Sequence, residues 1–315
     1  MKTKQYVKQV LLTLLMIILS FAVLSFLASC IFCAAAFPRA DDPLPAVGRS
    51  SVNTEAYPHE TIRFPSGANM LTGTLYHAEK PQALMVIAAG FRESGASYTG
   101  AIRAFLDSGY SVFCYDATGV GKSEGDGTGG LSQPALDLNA ALAYAADNDA
   151  LSRLPVLLYG HSAGGYATAT CLDQPQVKAA VILSGFESPT CLMRETARGY
   201  VGVLADIEYP FLKAAHTITC SAQADQSASD CIRDASVPVA VYEGENDAVI
   251  PASVRLSRRL KDDDPNVRLT VIAGGTHHDL WKTVEEAALP SQTVSVYQET
   301  IRDVLAFYRQ ALTSS

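Results

Sequence analysis

The segment Tyr159-Gly-His-Ser-Ala-Gly-Gly165 places a serine between glycines in the spacing Gly-x-Ser-x-Gly. An apolar run, Val156 to Tyr159, precedes it, and a helical pattern follows it. In this context a sharp turn from strand to helix lifts the serine hydroxyl out of the sheet, and the N–H of the next residue points to where an oxyanion forms. The pattern predicts Ser162 as a nucleophile for acyl transfer and the N–H of Ala163 as an oxyanion donor.

The elements around this motif alternate between strands and helices. The alternation predicts an α/β fold, in which a mostly parallel central sheet is flanked by helices. Apolar runs, which are typical of strands buried on both faces, lie at residues 83–89 and 111–115, and further strands are predicted at 156–159, 177–183, 237–242 and 267–272. A hairpin is predicted for 61–76, and helices for 98–107, 134–147, 164–172 and 294–311.

With the serine turn in this context, the chain resembles the α/β-hydrolase superfamily over about residues 60–311. The resemblance implies the chain order Ser, acid, His, and no cofactor. Glu243-Gly-Glu-Asn-Asp247-Ala-Val-Ile-Pro251 looks like the family's acid loop, so the resemblance implies Asp247. Gly274-Gly-Thr-His277-His278 follows the next strand, where the family has its histidine. Each part follows the carboxyl end of a strand, where open α/β sheets place their sites.

Two positions leave an alternative open. The segment His277-His-Asp-Leu-Trp281 resembles the loops of Bem46-like and serine aminopeptidase-like hydrolases, which selects His277 over its neighbour His278. Glu187 follows an earlier strand, at a place where some superfamily members carry the acid. A metal site built on His277, His278 and Asp279 lacks an evident further group of ligands, so no metal is expected.

The segment Gly119-Val-Gly-Lys-Ser123 looks like the end of a phosphate-binding loop. The first glycine of such a loop would be residue 116, which is Asp, and its charge would repel phosphate. The segment instead resembles a turn that the superfamily carries after a strand ending in Asp. Nearby, Ala89-Gly90 stands where the family often has His-Gly, and the N–H of Phe91 is expected as the second oxyanion donor. The backbone supplies this donor, so the missing histidine does not exclude activity.

The N-terminus is the strongest compositional feature of the chain. Residues 10–37 are almost wholly apolar and long enough to span a bilayer, and the charges before them are lysines. Such a segment favours an N-terminus in the cytoplasm and a catalytic domain outside it. An uncleaved anchor, a signal peptide cut after Ala34-Ala-Ala36 and a lipoprotein signal at Leu27-Ala-Ser-Cys30 all remain open. The predicted division is 1–37 as signal or membrane anchor, 38–60 as linker and 61–315 as the hydrolase domain.

Charge and composition limit the classes of partner that the chain is expected to bind. The 315 residues carry a net charge of −8, and all charges before Arg39 are lysines, so the remainder is more acidic still. An acidic domain is a poor binder of nucleic acid. Outside the cytoplasm a disulfide is permitted, and Cys220 and Cys231 flank a polar run, but two free thiols fit the sequence equally well.

Residues 184–236 break the alternation of strands and helices and are predicted to form a helical cap insertion over the sheet edge. Some of the cap's apolar residues are expected to line an acyl pocket and set acyl preference, because such pockets are largely apolar. The positions chosen to test this are Leu192, Met193, Tyr200 and Phe211. The expected protein is a serine hydrolase with a small-molecule acyl substrate, in the first place a carboxylic ester. Thioester or peptide cleavage on the same triad is one alternative, and a non-catalytic binding protein on a hydrolase scaffold is another.

Overall fold

The computed structural model describes residues 2–43, 56–220, 225–261, 263–278, 280 and 291–313. At its centre lies a sheet of eight strands in the order β1-β2-β4-β3-β5-β6-β7-β8. The strands are β1 (His59–Ser66), β2 (Asn69–Tyr76), β3 (Leu84–Ala88), β4 (Ser111–Tyr115), β5 (Val156–His161), β6 (Val177–Leu183), β7 (Val239–Gly244) and β8 (Val267–Ile272).

Helices cover both faces of this sheet. They are α1 (Lys2–Ala35), α2 (Thr99–Asp107), α3 (Gln133–Asp147), α4 (Ala163–Thr170), α5 (Pro189–Val201), α6 (Leu204–Cys220), α7 (Ala228–Asp234) and α8 (Ser291–Thr313). The predicted α/β-hydrolase fold, with an apolar helix at the N-terminus, is confirmed.

Strand pairing explains why the site residues meet. β2 pairs antiparallel with both of its neighbours, β1 and β4. The remaining pairs are all parallel, so six strands run in the same direction: β4, β3, β5, β6, β7 and β8. The side chains of β3 are buried on both faces: Val86 packs into the core beside α3 and α4, and Ile87 into the core beside α2 and α8. Because β5, β7 and β8 run in the same direction, the loops after them open at one edge.

One strand begins two residues later than its apolar pattern predicts. The sequence indicates a strand over 237–242, whereas β7 runs from Val239 to Gly244. Pro238 stands directly before it, and a proline has no N–H to donate to a ladder. At the other end of β7, Gly244 lies opposite Ile272 of β8, and the acid loop starts from there.

The insertion between β6 and β7 is helical, but its parts pack differently. α5 and α6 pack against each other, whereas α7 packs on α4, and its residues Ala228 and Ile232 belong to the core beside the sheet. The helices α5 and α6 are referred to below as the cap, and Leu192 of α5 connects the cap to the core beside the sheet.

The apolar helix α1 lies against the cap. The ring of Phe21 meets that of Phe211 edge-on, with 6.1 Å between centroids, and Ser25 Oγ donates to Glu208 Oε1 at 2.9 Å. Thr3–Ala35 has a mean hydropathy of 2.8 in its most apolar window and is long enough to cross a membrane. A signal sequence can meet the same criteria of length and composition, so these two properties alone do not distinguish an anchor from a signal sequence.

The start of the predicted linker is docked on the domain. Ala40 pairs with the turn that contains Gly-Val-Gly-Lys-Ser, through its N–H to Gly119 O at 2.8 Å and its carbonyl to Gly121 N at 2.9 Å. Arg39 donates from its guanidinium to the carbonyls of Gly121, Ser123 and Gly125 at 2.8 to 3.0 Å. Residues 44–55 of the predicted linker lie outside the described residues, as does the side chain of Cys220.

Asp116, which stands where a phosphate-binding loop has its first glycine, makes hydrogen bonds within and beside the same turn. The Asp116 carboxylate accepts from the N–H of Lys122 at 3.1 Å and from Ser94 Oγ at 2.5 Å, and Ser123 Oγ donates to the Asp116 carbonyl at 2.6 Å. The Asp116 carboxylate therefore takes the N–H of Lys122 in this turn, while the Lys122 side chain is exposed.

Candidate active site

Ser162 stands at the turn between β5 and α4, in a backbone conformation that side chains rarely adopt. Its φ is 54° and its ψ is −116°, and its N–H donates to Leu183 O at 2.8 Å. The neighbouring glycines leave no room for a side chain. A Cβ on Gly160 would lie 2.2 Å from Gly164 O, and one on Gly164 would lie 2.0 Å from Ala88 O. Close packing holds the serine in this strained position, as the Gly-x-Ser-x-Gly spacing predicts.

Asp247 and His277 come together at the same edge. His277 Nδ1 is 2.7 Å from Asp247 Oδ2, and both side chains are almost fully buried. The other carboxylate oxygen, Asp247 Oδ1, accepts from the N–H groups of Val249 at 2.8 Å and Ile250 at 2.9 Å. The carboxylate is thus fixed by its own loop and presents one oxygen to the imidazole.

Arg255 holds the acid loop from outside, which the sequence did not indicate. Its guanidinium donates to the carbonyls of Ile250 at 3.0 Å and Gly244 at 3.3 Å, and also to that of Asp247. The alternative acid, Glu187, is placed elsewhere: its Oε1 accepts from Ser227 Oγ at 2.7 Å at the start of α7. Of the two candidate acids, only Asp247 contacts a histidine of the site in the described residues.

Burial and the contact between the two side chains shift the pKa values of both Asp247 and His277. Burial alone would raise the pKa of Asp247, but the hydrogen bond and charge of His277, together with the loop N–H groups, lower it below its ordinary value. Burial lowers the pKa of His277, and this outweighs the opposite effect of Asp247. The arrangement therefore offers an ionised carboxylate and a neutral imidazole near neutral pH.

The two predicted oxyanion donors come from different segments, the residue directly after Ser162 and the loop after β3. Ala163 begins α4 and is buried, and Phe91 is half-buried in the loop after β3. Within the described ranges, no protein group accepts a hydrogen bond from either N–H. The ring of Phe91 packs edge-on against that of Phe37, with 5.9 Å between centroids. Both N–H groups therefore remain able to donate to a substrate oxygen.

The serine and the histidine do not bond directly in this structure. Among the described residues no hydrogen bond joins Ser162 Oγ to His277, and catalytic hydrogen bonds are often long before substrate binds. The elbow meets the histidine loop through His161, whose Nε2 lies 3.0 Å from the carbonyl of His277. The rings of His161 and His277 are 4.9 Å apart between centroids.

Sequence reasoning missed His161 and its partners Glu93 and Tyr98. All three are buried, and His161 Nδ1 lies 3.1 Å from Tyr98 Oη and 3.4 Å from Glu93 Oε2. The available signals were a histidine directly before the nucleophile and a glutamate in the loop expected to hold the oxyanion donor. Neither signal has a defined spacing, because the contact depends on tertiary packing.

His278, the competing histidine, occupies a different position. Its side chain is 36% exposed, and its Nδ1 lies 4.0 Å from Glu93 Oε1 rather than beside Asp247. The ring nitrogens of His161, His277 and His278 all lie within 4.8 Å of one another, which is close enough to consider a metal. However, His277 Nδ1 is bonded to Asp247, and both nitrogens of His161 face hydrogen-bonding groups. A metal ion would have to displace these bonds. Asp279 lies outside the described residues.

Comparison with known proteins gives a family match and several similar structures. The family model described as serine aminopeptidase, S33, matches residues 79–213, the part that contains Ser162. No curated protein matches the sequence.

The similar structures cover most of the chain. An esterase of Pyrococcus furiosus, Pf2001, has a TM-score of 0.62 at 20% identity and covers 86% of this chain and 99% of its own. Est1E of Butyrivibrio proteoclasticus, solved with ferulic acid bound, has a TM-score of 0.54 at 19% identity, covering 77% of this chain and 99% of its own. A proline iminopeptidase of Mycobacterium smegmatis has a TM-score of 0.52 at 17% identity, with 81% and 99% covered. At these identities the similarity concerns the fold alone.

Proposed function

We propose that the chain is a serine hydrolase that cleaves an acyl bond of a small molecule, in the first place a carboxylic ester, because its fold is that of the α/β hydrolases and a serine aminopeptidase family model matches residues 79–213. The observation that carries the proposal is the buried pair of His277 and Asp247, joined at 2.7 Å at the sheet edge where Ser162 is held in a strained turn. A scaffold that only binds a ligand would need neither of these features.

In this proposal Ser162 Oγ attacks the acyl carbonyl carbon, and His277 takes its proton and passes it to the leaving group. Asp247 orients the imidazole and stabilises its charged form. The N–H groups of Phe91 and Ala163 hold the oxyanion of the tetrahedral intermediate. Water then attacks the acyl-enzyme with His277 as its base, and the serine is regenerated. No step requires a cofactor.

Cleavage of a peptide is the second candidate, favoured by the description of the matching family. An aminopeptidase must bind the α-ammonium group of its substrate, which calls for an available carboxylate close to the nucleophile. Asp247 and Glu93, the carboxylates that contact the site's histidines, are buried and already bonded within the protein. Their engagement favours an uncharged ester over a peptide N-terminus. Thioester cleavage would use the same groups.

We also propose that α1 anchors the catalytic domain at a membrane, with the domain outside the cytoplasm. Almost the whole of the most apolar window of α1 is exposed, since only 6% of it is buried within the protein. Such an apolar surface is costly in water and favourable in lipid, so in the anchored state lipid would replace the contacts of Phe21 and Ser25 with α6. The lysines that precede the apolar stretch favour the cytoplasmic side for the N-terminus.

The test combines a fluorophosphonate label with a panel of esters, thioesters and aminoacyl amides. The wild-type chain should be labelled and should hydrolyse esters fastest, while Ser162→Ala should lose the label and fall on the order of 10⁶-fold in kcat. A labelled Ser162→Ala variant would contradict the nucleophile assignment. Fastest turnover of an aminoacyl amide would replace the ester proposal by the peptidase candidate, and a wild-type chain without label or turnover would favour a binding protein.

A further inference from the structure

A buried polar cluster joins three segments around the site. Its members are Glu93, Tyr98 and His161, referred to below as the Glu93 network. Glu93 ends the loop that carries Phe91, Tyr98 precedes α2, and His161 ends β5 directly before Ser162. All three side chains are buried, and none has a role in the mechanism proposed above.

Glu93 fixes the turn that carries the oxyanion donor. Its Oε2 accepts from the N–H of Gly90 at 3.2 Å, and its own N–H donates to the carbonyl of Gly90 at 3.1 Å. The hydroxyl of Tyr98 accepts from the same Gly90 N–H at 3.0 Å and donates to Glu93 Oε2. The peptide unit between Gly90 and Phe91 is therefore held through the Gly90 carbonyl, and the unit before it through the Gly90 N–H. Because the Phe91 N–H lies in the plane of the first of these units, the bonds set its direction.

His161 connects this turn to the histidine loop. Its Nε2 lies 3.0 Å from the carbonyl of His277, and a carbonyl only accepts, so Nε2 carries a proton. Its Nδ1 faces the Glu93 carboxylate and the Tyr98 oxygen, whose proton goes to Glu93. An imidazolium donates on both sides, so the contacts fit a charged His161 paired with an ionised Glu93.

We propose that the Glu93 network positions the catalytic groups, by locking the Phe91 turn and the main chain of His277 to the segment that holds Ser162. The inference rests on the proposed function, because it assigns a purpose to the alignment of those three groups. The network touches no reacting atom, so its members are positioning residues. A displacement of about 1 Å in an active site costs about 10²-fold in rate, which is the order of effect expected here.

The electrostatics of the cluster agree with an ionised pair. Burial works to raise the pKa of Glu93, but the charge and hydrogen bond of His161, with the hydroxyl of Tyr98, lower it to about 2. The groups that face the pair are His277, which is bonded to Asp247, and His278. Glu93 therefore stays charged at any pH where the enzyme would work. Buried ion pairs are weak evidence for stability, so a stabilising role alone explains the pair poorly.

The test uses Glu93→Gln, which keeps the size and one acceptor oxygen but removes the charge. Asp137→Asn is the matched control, because Asp137 is also buried and accepts from Ser66, Gln133 and Thr118 away from the site. Below the melting temperature of both variants, Glu93→Gln should lose about 10²-fold in kcat with KM within about twofold, while Asp137→Asn keeps its kcat. Tyr98→Phe removes only a hydroxyl and should give a smaller loss in kcat, which keeps the test open if Glu93→Gln does not fold.

A second readout does not depend on turnover. The proton that His277 shares with Asp247 should give a far-downfield ¹H signal in a histidine-labelled sample, and this signal should shift or broaden in Glu93→Gln or Tyr98→Phe but not in Asp137→Asn. A wild-type protein that neither labels nor turns over would refute the proposed function, while the signal would still report on the network. Variants of Glu93 and Tyr98 with the wild-type signal and kcat, and only a lower Tm, would overturn the positioning role.

Discussion

At the scale of single residues, Ser162 stores strain where the chemistry is proposed. A non-glycine residue with a φ of 54° and a ψ of −116° lies outside the common regions, and such residues cost of the order of 1–3 kcal/mol. The surrounding structure enforces this conformation, since the turn is enclosed by Gly160, Gly164 and the backbone of β3. The strain keeps the hydroxyl at the sheet edge instead of letting it fold back against the chain.

The adjacent histidines should separate cleanly by mutation. His277→Ala should lose nearly as much kcat as Ser162→Ala, because a triad acts as a unit, whereas His278→Ala should keep most activity. The physical reason is that only His277 is bonded to Asp247, while the His278 side chain is partly exposed. Steady-state ester hydrolysis by both variants is the measurement. The reverse ranking would move the base to His278 and leave the serine mechanism in place.

The pH dependence should reflect the lowered pKa of His277. The general base works unprotonated, so kcat/KM should rise with pH through the pKa of His277 and then level off. Since burial places this pKa below the ordinary histidine value of about 6.5, the midpoint should lie on the acid side of that value. Profiles with two esters of different leaving groups should share the midpoint. A common midpoint above about 6.5 would show that Asp247 outweighs burial.

At the scale of elements, the close approach of β3, β5 and α4 depends on residues without side chains. Gly164→Ala would put a Cβ against the backbone carbonyl of Ala88, so we expect a loss of about 1–3 kcal/mol in the free energy of unfolding. Gly199→Ala in α5 is the control, because a Cβ there meets nothing within 4 Å and alanine favours a helix by about 0.5–1 kcal/mol. Denaturant unfolding of both variants measures this. Equal effects would mean that the β3–α4 contact is looser than described.

The cap residues that the sequence suggested for acyl selection differ in their surroundings. Leu192 is buried, Met193 is half-buried, Phe211 packs against Phe21, and Tyr200 is 87% exposed. Alanine at one or more of the first three should shift the preferred ester chain length, since one methylene is worth about 1–3 kcal/mol in such a pocket. Tyr200→Ala serves as the matched control with a wild-type profile. Profiles of kcat/KM against chain length that stay parallel in all variants would assign these residues to packing alone.

Local patterns predicted the elements and the candidate triad, because strand periodicity and the Gly-x-Ser-x-Gly turn depend only on residues that are close together in the sequence. The Glu93 network could not be predicted in this way. Glu93 looks like a solvated turn acid until packing brings Tyr98 and His161 to it. The docking of Arg39 has the same cause, since its partners are backbone carbonyls, which any sequence supplies. The apolar residues of α7 fit a cap as well as a core, and only their contact with α4 decides between the two.

At the scale of the whole molecule, the membrane proposal states on which side of the membrane the catalytic domain lies. A reporter that is active only after export, fused after Ser315, should be active, and a reporter that works only in the cytoplasm should be silent. The lysine-flanked apolar helix is the reason for this orientation. Removing the positive charges of Lys2, Lys4 and Lys8 should weaken the bias. Activity of the cytoplasmic reporter alone would refute the export of the domain.

The docked segment after α1 sets how far the domain could move from its anchor. A flexible linker over residues 38–60 would have a root-mean-square end-to-end distance of about 25 Å, and the domain could move over that range relative to its anchor. Here α1 ends at Ala35, and Phe37 already packs on Phe91 beside the candidate oxyanion turn. Because only Ala36 separates α1 from the docked segment, the catalytic edge of the sheet would stay at a fixed height above the bilayer. Its substrates would then be molecules that dwell at the lipid surface or pass through its first layer of water, and not polymers held farther away.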